Sequence, residues 1–289
     1  MHLNLFVSQK CFLYCKGCYS FSRTEKCGQI VSTEIIVEFL KYAYNEGINK
    51  VTLCGGDPLT RKDIINILEQ IKSIGYLISL DTIGTSIIKN IVHNDKIVFK
   101  KTSAELLTQF VDTIGIPIDG STNNIFKLFR QTTSDLLNEQ LEICEELHKC
   151  GANICINTVV HKGNLDDAND LSNLIKKLDY IDKWQIFQFA PLGKFGILNR
   201  KTFEITDDEF NNFKTAVLKI FDDKNKIQFK GFKERNSAYM LIDNYGNAWT
   251  PIYDKNKFDD QDIQIERRKI IGNINNTGDW DNICYYLKK

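Results

Sequence analysis

Three cysteines lie close together near the start of the chain, in the stretch Cys11-Phe-Leu-Tyr-Cys15-Lys-Gly-Cys18. Their spacing is CxxxCxxC, and the apolar run 3–7 precedes them. Cysteine thiolates are the usual protein ligands of iron–sulfur clusters. Three thiolates on a cluster of four irons leave one iron without a protein ligand, and an open coordination position on a metal is a place for chemistry. The stretch therefore predicts a metal site with the three thiolates of Cys11, Cys15 and Cys18 as its ligands.

Two other uses of these thiols are open on the sequence alone. Cys27 offers a fourth sulfur for a zinc site, but structural zinc sites usually combine two short ligand spacings, and no second CxxC pair exists in the chain. A disulfide framework is disfavoured because the nine cysteines are odd in number and no secretory leader is recognisable. The remaining cysteines are scattered, and we expect them to be buried apolar thiols.

A second motif, Gly55-Gly56-Asp57-Pro58, follows the apolar run 50–54. Two adjacent glycines let a ligand approach the backbone closely, because no Cβ atom stands in the way. The carbonyl groups of such a strand end are able to accept hydrogen bonds from an ammonium group. A glycine pair is a weak signal by itself, since turns use glycine routinely. Its position one helix after the cysteine stretch is what makes the combination specific.

The two motifs together resemble the signature of the radical S-adenosylmethionine (radical SAM) enzymes. The resemblance implies a 4Fe–4S cluster on Cys11, Cys15 and Cys18, whose open iron binds the amino and carboxylate groups of S-adenosylmethionine. It further implies that one electron cleaves a carbon–sulfur bond of this cofactor, and that a 5'-deoxyadenosyl radical then abstracts hydrogen from a substrate. The GGDP motif would hold the methionine amino group, with Asp57 where the family usually has Glu.

One family feature is missing from the cysteine stretch. The residue before the last cluster cysteine is usually aromatic in these enzymes and packs on the adenine. Here that residue is Gly17, and an aromatic residue, Tyr19, stands on the other side of Cys18. We include Tyr19 among the candidate cofactor contacts.

Polar residues at the ends of later strands complete the predicted cofactor site. The stretch 80–85 is similar to the DTNG stretch of radical SAM activating enzymes, which implies that Asp81 and Thr85 face the ligand. Polar residues in apolar strands cost desolvation free energy unless they are paired, so both ligand contacts and structural pairing are open for such residues. The further candidates of this kind are Asp119, Asn157 and Gln188.

Apolar runs typical of strands alternate with helical patterns over the first two thirds of the chain. Six such alternations in one direction predict parallel strands with right-handed crossovers, and active sites in such folds lie at the C-terminal strand ends. The predicted fold class is α/β, a partial (β/α)6 barrel over residues 1–193 with a C-terminal α+β extension over 194–289. The partial closure comes from the family resemblance. The predicted strands are 3–7, 50–54, 76–80, 111–118, 153–160 and 184–189.

The charge balance limits the classes of partner. The 289 residues include 37 Lys+Arg and 37 Asp+Glu, so the formal net charge is zero. Nothing in this balance points to nucleic acid or to a membrane surface, and no apolar run reaches the length of a membrane-spanning helix. We expect a cytoplasmic protein that works without oxygen, since thiols stay reduced there. The family resemblance adds a flavodoxin- or ferredoxin-type electron donor.

Several readings of the substrate follow from further resemblances. The first 59 residues look like anaerobic ribonucleotide reductase activating enzymes, and the tail pattern 241–274 looks like peptide-modifying radical SAM enzymes, which favours a peptide or protein substrate. The stretches 156–164, 183–188 and 239–243 resemble viperin-type enzymes, which implies a nucleotide or another small molecule as the alternative. Cys155 and Gln185, however, replace basic residues of that type. A non-catalytic metal-binding interaction protein is the alternative of another class.

One histidine also has two readings. His161 follows the predicted fifth strand and is a candidate for catalysis. An ordinary buried histidine, satisfied by hydrogen bonds, is the structural alternative. No partner for a catalytic role is evident from the sequence.

Overall fold

A computed structural model describes residues 2–20, 29–221, 223–235, 240–251 and 268–288. Cys27, the fourth ligand of the zinc alternative, lies outside these ranges, as does Tyr239 at the start of a predicted strand. None of the described helices combines the length and the apolar character that a bilayer crossing requires.

Within the described residues, ten strands form one sheet and four more form two small ribbons. In chain order the strands are β1 (His2–Ser8), β2 (Tyr14–Cys15), β3 (Lys50–Gly55), β4 (Leu77–Asp81), β5 (Ile91–His93), β6 (Lys96–Phe99), β7 (Thr113–Pro117), β8 (Arg130–Gln131), β9 (Ile154–Val160), β10 (Lys183–Gln188), β11 (Ile227–Lys230), β12 (Leu241–Ile242), β13 (Asn247–Pro251) and β14 (Arg268–Asn273). The sheet order is β11-β10-β9-β7-β4-β3-β1-β12-β13-β14, and the ribbons are β2–β8 and β5–β6.

All neighbouring strands from β11 to β12 in that order run parallel, whereas β13 and β14 are antiparallel to their neighbours. The six predicted strands are β1, β3, β4, β7, β9 and β10, and the predicted α/β class with a parallel central sheet is confirmed. Strands from residues 194–289 add to both edges of the same sheet. The boundary at residue 193 stays a prediction.

The helices cover the outer face of the sheet. In chain order the α-helices are α1 (Thr33–Asn45), α2 (Ile64–Ile74), α3 (Thr85–Ile88), α4 (Ala104–Phe110), α5 (Asn123–Phe129), α6 (Leu136–Lys149), α7 (Ala168–Lys176), α8 (Gly193–Leu198), α9 (Arg200–Phe203), α10 (Asp207–Ile220), α11 (Phe232–Arg235) and α12 (Trp280–Leu287). Local signals set several of their ends. Ser32 caps α1, Gly75 ends α2 with a φ of 109°, and the Thr206–Glu209 capping box begins α10.

The segment between β4 and β7 contains a hairpin that sequence patterning treats only as an irregular polar stretch. β5 and β6 pair in antiparallel fashion, and the turn between them places Asn94 and Asp95 at φ values of 48° and 59°. These two residue types tolerate the left-handed region better than most others, because their short polar side chains bond locally. The polar residues that look like a loop are therefore the turn of a hairpin.

The inner face of the sheet surrounds a cavity and carries a row of polar residues. Asn4, Thr52, Ser79 and Thr113 stand in register on four adjacent strands, and all four line this cavity. The alternate residues of the same strands, such as Leu53 and Leu80, belong to the apolar core beneath the helices. Complete α/β barrels fill their interior with branched apolar side chains, whereas here the interior is left open for a ligand.

Candidate active site

Both edges of the sheet contribute to the cavity, which has a volume of about 490 Å³. Lys230 of β11 and Trp249 of β13 both line it, so the sheet curves around this space. Of the predicted site residues, nine line the cavity and four do not. Those that line it are Cys11, Cys15, Cys18, Tyr19, Gly55, Gly56, Asp81, Asn157 and Gln188. Those that do not are Asp57, Pro58, Thr85 and Asp119.

The cysteine loop is anchored to the end of α5. β2 pairs with β8, which places Cys15 opposite Arg130. The Lys16 amide donates to the Phe129 carbonyl at 2.9 Å, and the Cys18 amide donates to the Cys15 carbonyl at 3.3 Å. Backbone hydrogen bonds thus fix the path of a loop whose three thiols face one space.

The thiols are not gathered in the way that a single metal ion requires. Among the described residues, no three His, Cys, Asp or Glu side chains form such a group. A 4Fe–4S cluster makes a different demand, because each thiolate binds a different iron. The three thiols of the described ranges line one cavity, an arrangement that is compatible with the cluster.

The glycine loop lies directly against the cysteine loop. The Gly56 amide donates to the Ser8 carbonyl at 2.8 Å, and the Asp57 amide donates to the Lys10 carbonyl at 2.6 Å. Gly55 has a φ of 131°, and a Cβ atom there would lie 2.6 Å from the Ser8 carbonyl oxygen. Only glycine fits this approach, so the pair forms a cavity wall beside the cysteines.

Asp57 supports the site from behind. Its carboxylate is fully buried and accepts hydrogen bonds from the Leu59 amide at 2.9 Å, the Ile83 amide at 2.7 Å and the Thr82 hydroxyl at 2.8 Å. Burial raises the pKa of Asp57 to about 6, and these hydrogen bonds oppose the rise. The side chain thereby ties the glycine loop to the end of β4. Pro58 starts a short buried 3₁₀ turn next to it.

Asp81 and Asn157 form a polar pair inside the cavity. The Asn157 amide donates to the Asp81 carboxylate at 3.0 Å. Gly115 lies between their strands, and a Cβ atom there would lie 2.0 Å from the nearer Asp81 oxygen. Burial raises the pKa of Asp81, while the bond to Asn157 and the charge of Lys230 lower it. A hydrogen-bonding ligand group is able to reach this pair.

Tyr19 and Gln188 face the cavity in different ways. Tyr19 exposes 42% of its surface, yet burial raises the pKa of its phenol, so this exposed surface faces the enclosed space. Its ring packs edge-on against Phe6 at 5.8 Å between centroids. The Gln188 side chain makes structural hydrogen bonds. It accepts from the Phe232 amide at 2.7 Å and donates to the Ile205 carbonyl at 3.3 Å.

Two candidates from the sequence face elsewhere. Thr85 begins α3 and lines an outer groove on the other side of the cysteine loop. Asp119 is fully buried and pairs with Arg130, whose Nε lies 2.5 Å from a carboxylate oxygen. The other Asp119 oxygen accepts the Val159 amide at 2.7 Å. Asp119 is therefore paired within the barrel, which is the structural alternative for this residue.

His161 is also explained by structural contacts. Its ring is fully buried and stacks on Phe129, with the centroids 5.2 Å apart and the planes 19° apart. Its Nδ1 atom accepts from the Gly163 amide at 3.1 Å. Burial lowers the pKa of His161 to about 4. The ring does not line the cavity, so packing explains its position. Hydrogen bonds satisfy only one of its two nitrogens, because Nε2 is buried without a partner among the described residues.

Gly17 leaves no room for the aromatic side chain that the family usually has at that place. A Cβ atom on Gly17 would lie 2.2 Å from the Phe129 ring and 2.8 Å from the Phe189 ring. Both rings line the cavity. Aromatic surface next to the last cysteine is therefore supplied from α5 and from the residue after β10. The sequence contained one signal for this exchange, a glycine where the family has an aromatic residue.

A cationic wall on β11 and α11 was missed by the sequence interpretation. Lys230 and Arg235 both line the cavity and lie 4.7 and 5.7 Å from the centroid of the Phe187 ring. The Lys230 ammonium donates to the Gln185 side-chain oxygen at 2.5 Å, and burial lowers its pKa. Lys230 thus places a positive charge next to Gln185. The viperin-type enzymes have a basic residue at the position of Gln185. The strand 227–230 is predicted by its pattern, but the face of Lys230 is not.

Comparison with known proteins decides the family. The Radical SAM superfamily profile matches residues 5–175, more than half of the chain. The chain belongs to the radical SAM superfamily. It is an enzyme of this superfamily, whose cofactors are a 4Fe–4S cluster and S-adenosylmethionine. The non-catalytic interaction protein is therefore wrong as an interpretation.

Two of the curated relatives that the chain resembles act on nucleotides by name. An S-adenosylmethionine-dependent nucleotide dehydratase of Lacinutrix mariniflava is 25% identical over 254 residues, covering 84% of this chain and 49% of the relative. A probable GTP 3',8-cyclase of Methanococcus aeolicus is 25% identical over 240 residues, covering 80% and 74%. The chain thus spans about half of the first relative's length.

Solved structures with the same fold include enzymes that bind peptides. Native anSMEcpe with bound AdoMet aligns with a TM-score of 0.67 at 15% identity, covering all of this chain and 83% of that one. Streptococcus suis SuiB bound to the precursor peptide SuiA aligns with a TM-score of 0.66 at 13% identity, covering 86% and 58%. At these identities the likeness concerns the fold alone.

Proposed function

We propose that this radical SAM enzyme acts on a small anionic molecule, of which a nucleotide is the best example, bound inside the barrel. The observation that carries the proposal is the cationic wall of Lys230 and Arg235, which lines the cavity. Buried cations on a cavity wall attract phosphate or carboxylate groups, and an arginine is able to bind them with two parallel hydrogen bonds. The peptide substrate favoured by the sequence becomes the second candidate.

The residues that line the cavity have a charge balance that favours binding of an anion. Asp81 is the carboxylate among the described lining residues, and it already accepts a hydrogen bond from Asn157. Arg130 also lines the cavity but is paired with Asp119. Lys230 and Arg235 carry two positive charges against the one negative charge of Asp81, so the lining is positive on balance. In a region of low dielectric, electrostatic attraction is stronger than in water.

The residues of the chain divide the work between cofactor and substrate. Cys11, Cys15 and Cys18 would hold the cluster, and the edge of the glycine loop would hold the methionine end of S-adenosylmethionine. These cofactors, when bound, supply the radical that removes a hydrogen atom from the substrate. Phe129 and Phe189 present flat apolar surface next to the last cysteine. The polar residues Asn4, Thr52, Ser79 and Thr113 and the cationic wall would then orient the substrate.

The named activities of the relatives support a nucleotide substrate. Both the dehydratase and the cyclase act on nucleotides by name, and each match covers at least 80% of this chain. The electron donor, a flavodoxin or a ferredoxin, stays a prediction.

A specific observation keeps the peptide candidate. SuiB is seen with its precursor peptide, and anSMEcpe is seen with short peptides, on folds that align with most or all of this chain. A peptide would insert one side chain into the cavity rather than occupy it entirely. A negatively charged side chain would use the same cationic wall.

Equilibrium binding separates the two candidates. Cluster-loaded protein with S-adenosylmethionine is titrated with ATP, GTP, CTP and UTP, and 5'-deoxyadenosine release is followed in the presence of dithionite. We expect one nucleotide to bind, to stimulate release, and to bind at least tenfold more weakly to Lys230→Met, a loss of about 1.4 kcal/mol. Lys226→Met is the control, because that ammonium contacts the Asp179 and Ile181 carbonyls outside the cavity.

The outcomes decide between the substrates and test the enzyme itself. Nucleotide binding that Lys230→Met does not weaken would contradict the role of the cationic wall. Mass change in a co-expressed neighbouring peptide, without nucleotide binding, would favour the peptide candidate. If cluster-loaded protein releases no 5'-deoxyadenosine under any of these conditions, the proposed radical chemistry is wrong.

A further inference from the structure

Arg130 is placed against the predicted cluster ligand Cys15 by main-chain pairing. The two residues are directly opposite in the β2–β8 ribbon. The Arg130 Nη1 atom lies 3.8 Å from the Cys15 sulfur, within hydrogen-bond range for a sulfur acceptor. The arginine side chain is 13% exposed and lines the cavity. A guanidinium is thus fixed next to one thiol of the cysteine loop.

Asp119 holds this guanidinium from the opposite side. Its carboxylate accepts from Arg130 Nε at 2.5 Å, and its second oxygen is occupied by the Val159 amide at 2.7 Å. The Asp119 side chain is completely buried. A buried charge persists only when it is paired and hydrogen-bonded, so Arg130 and Asp119 depend on each other, and neither is free to turn away from Cys15.

We propose that Arg130 and Asp119 form a charge pair that sets the reduction potential of the cluster through the Cys15 sulfur. This inference rests on the proposed function, because it requires a cluster bound at Cys15. Arg130 acts as a positioning residue: it donates an N–H group to the ligating sulfur and brings a positive charge close to the iron. Asp119 fixes the donor and contributes the opposite charge from a greater distance.

The expected sign of each effect follows from electrostatics. Reduction adds one electron to the cluster, so a nearby positive charge and a hydrogen bond to sulfur stabilise the reduced form and raise the potential. Loss of Arg130 should therefore lower the potential. Loss of the Asp119 charge should raise it, because the arginine is then the uncompensated charge next to the cluster. Low dielectric in this buried region keeps both effects large.

A redox titration of three cluster-loaded variants tests the proposal. Dithionite supplies the electron, and the reduced fraction is followed by absorbance and by electron paramagnetic resonance. For Arg130→Met we expect a tenfold fall in the ratio of reduced to oxidised cluster at a fixed potential, which is a downward shift of 59 mV for one electron. For Asp119→Asn we expect a shift of the opposite sign. Lys89→Met, which removes an exposed partner of Glu139, is the control for charge removal.

Iron and sulfide contents, measured on the same samples, separate loss of the cluster from a change in its potential. If Arg130→Met does not retain the cluster, Arg130→Lys is measured in its place, because lysine keeps the positive charge. We expect the reduction potential of Arg130→Lys to lie between that of wild type and a value 59 mV lower. Unchanged potentials in loaded variants, or shifts of one sign in both Arg130 and Asp119 variants, would overturn this inference alone. A wild-type protein that takes up no 4Fe–4S cluster would overturn the proposed function as well.

Discussion

A Cβ atom on Gly56 would lie 2.0 Å from the carbonyl oxygen of Lys10. This contact joins the glycine loop after β3 to the cysteine loop after β1, and the neighbouring amide hydrogen bonds keep the two loops together. Lys10 directly precedes Cys11, the first of the three predicted cluster ligands. The geometry of the predicted cluster site therefore depends on Gly56, a residue that has no reactive group.

Gly56→Ala should damage both folding and cluster binding. The added methyl group meets main-chain atoms rather than a flexible side chain, so one loop must move. Overpacking of this kind costs about 1–3 kcal/mol in free energy of unfolding. We expect a loss near the top of that range, together with reduced iron content after reconstitution. Denaturant unfolding and iron analysis measure the two effects.

Gly278→Ala is the matched control for this substitution. The nearest atom to a Cβ at Gly278 lies 3.4 Å away, at ordinary contact distance. We expect little change in unfolding free energy and full iron content. If Gly56→Ala behaves like Gly278→Ala, the close approach of the two loops is not present in solution.

Cys15→Ala should abolish cluster binding without unfolding the protein. Iron and acid-labile sulfide should fall from about four of each per chain to well below half of that, because two thiolates hold a cluster poorly. Cys144→Ala is the control. That thiol is buried in the apolar core, and burial raises its pKa to about 12, so it is not a thiolate available to iron. Equal losses of iron in both variants would contradict the ligand set.

The sequence predicted the parts of the site that depend on local chemistry. The cysteine spacing, the glycine pair and the alternation of strands and helices are all readable from neighbouring residues, and the fold class that they imply is confirmed. Asp81 at the end of β4 and Asn157 in the middle of β9 both line the cavity, because they occupy inward positions on their strands. Such positions follow from the period of a strand. The contact of both residues with the cofactor stays a prediction.

The missed residues depend on pairings that are distant in the chain. Arg130 reaches Cys15 only through the β2–β8 ribbon, which joins two pairs of residues more than a hundred positions apart and has no periodic signature. Lys230 faces inward because β11 pairs with β10 in one particular register. Asp119 looked like a ligand contact, but its oxygens are used by the arginine and a main-chain amide. Which of several possible partners such a side chain contacts depends on the folded structure and is not readable from neighbouring residues in the sequence.

Gly17 and Phe129 should show strong energetic coupling. In Gly17→Ala the new methyl group collides with the Phe129 ring, and we expect a loss of about 2 kcal/mol in unfolding free energy. Phe129→Leu removes ring atoms from the collision, so the double variant should be less destabilised than the sum of the single variants by at least about 1 kcal/mol. Additive losses in denaturant unfolding would mean that the two residues are not in contact.

His161 should make the protein less stable in acid. Its pKa is lowered from 6.5 to about 4 by burial, so between these values the unfolded chain binds a proton that the folded chain does not. The stability that depends on neutral His161 is therefore complete above about pH 6.5 and falls as the pH drops towards 4. Its full size is about 3 kcal/mol, at 1.36 kcal/mol for each pKa unit.

His161→Asn should remove this acid dependence. Asparagine keeps an acceptor for the Gly163 amide but does not titrate, so we expect the variant to be less stable than wild type at pH 7.5 and to lose less stability on acidification. Unfolding free energies at pH 7.5 and pH 4.5 give the comparison. His93→Asn is the control for the loss of an imidazole, because that histidine lies on the exposed hairpin β5–β6. Parallel pH profiles for wild type and His161→Asn would show that folding does not lower the pKa of the histidine.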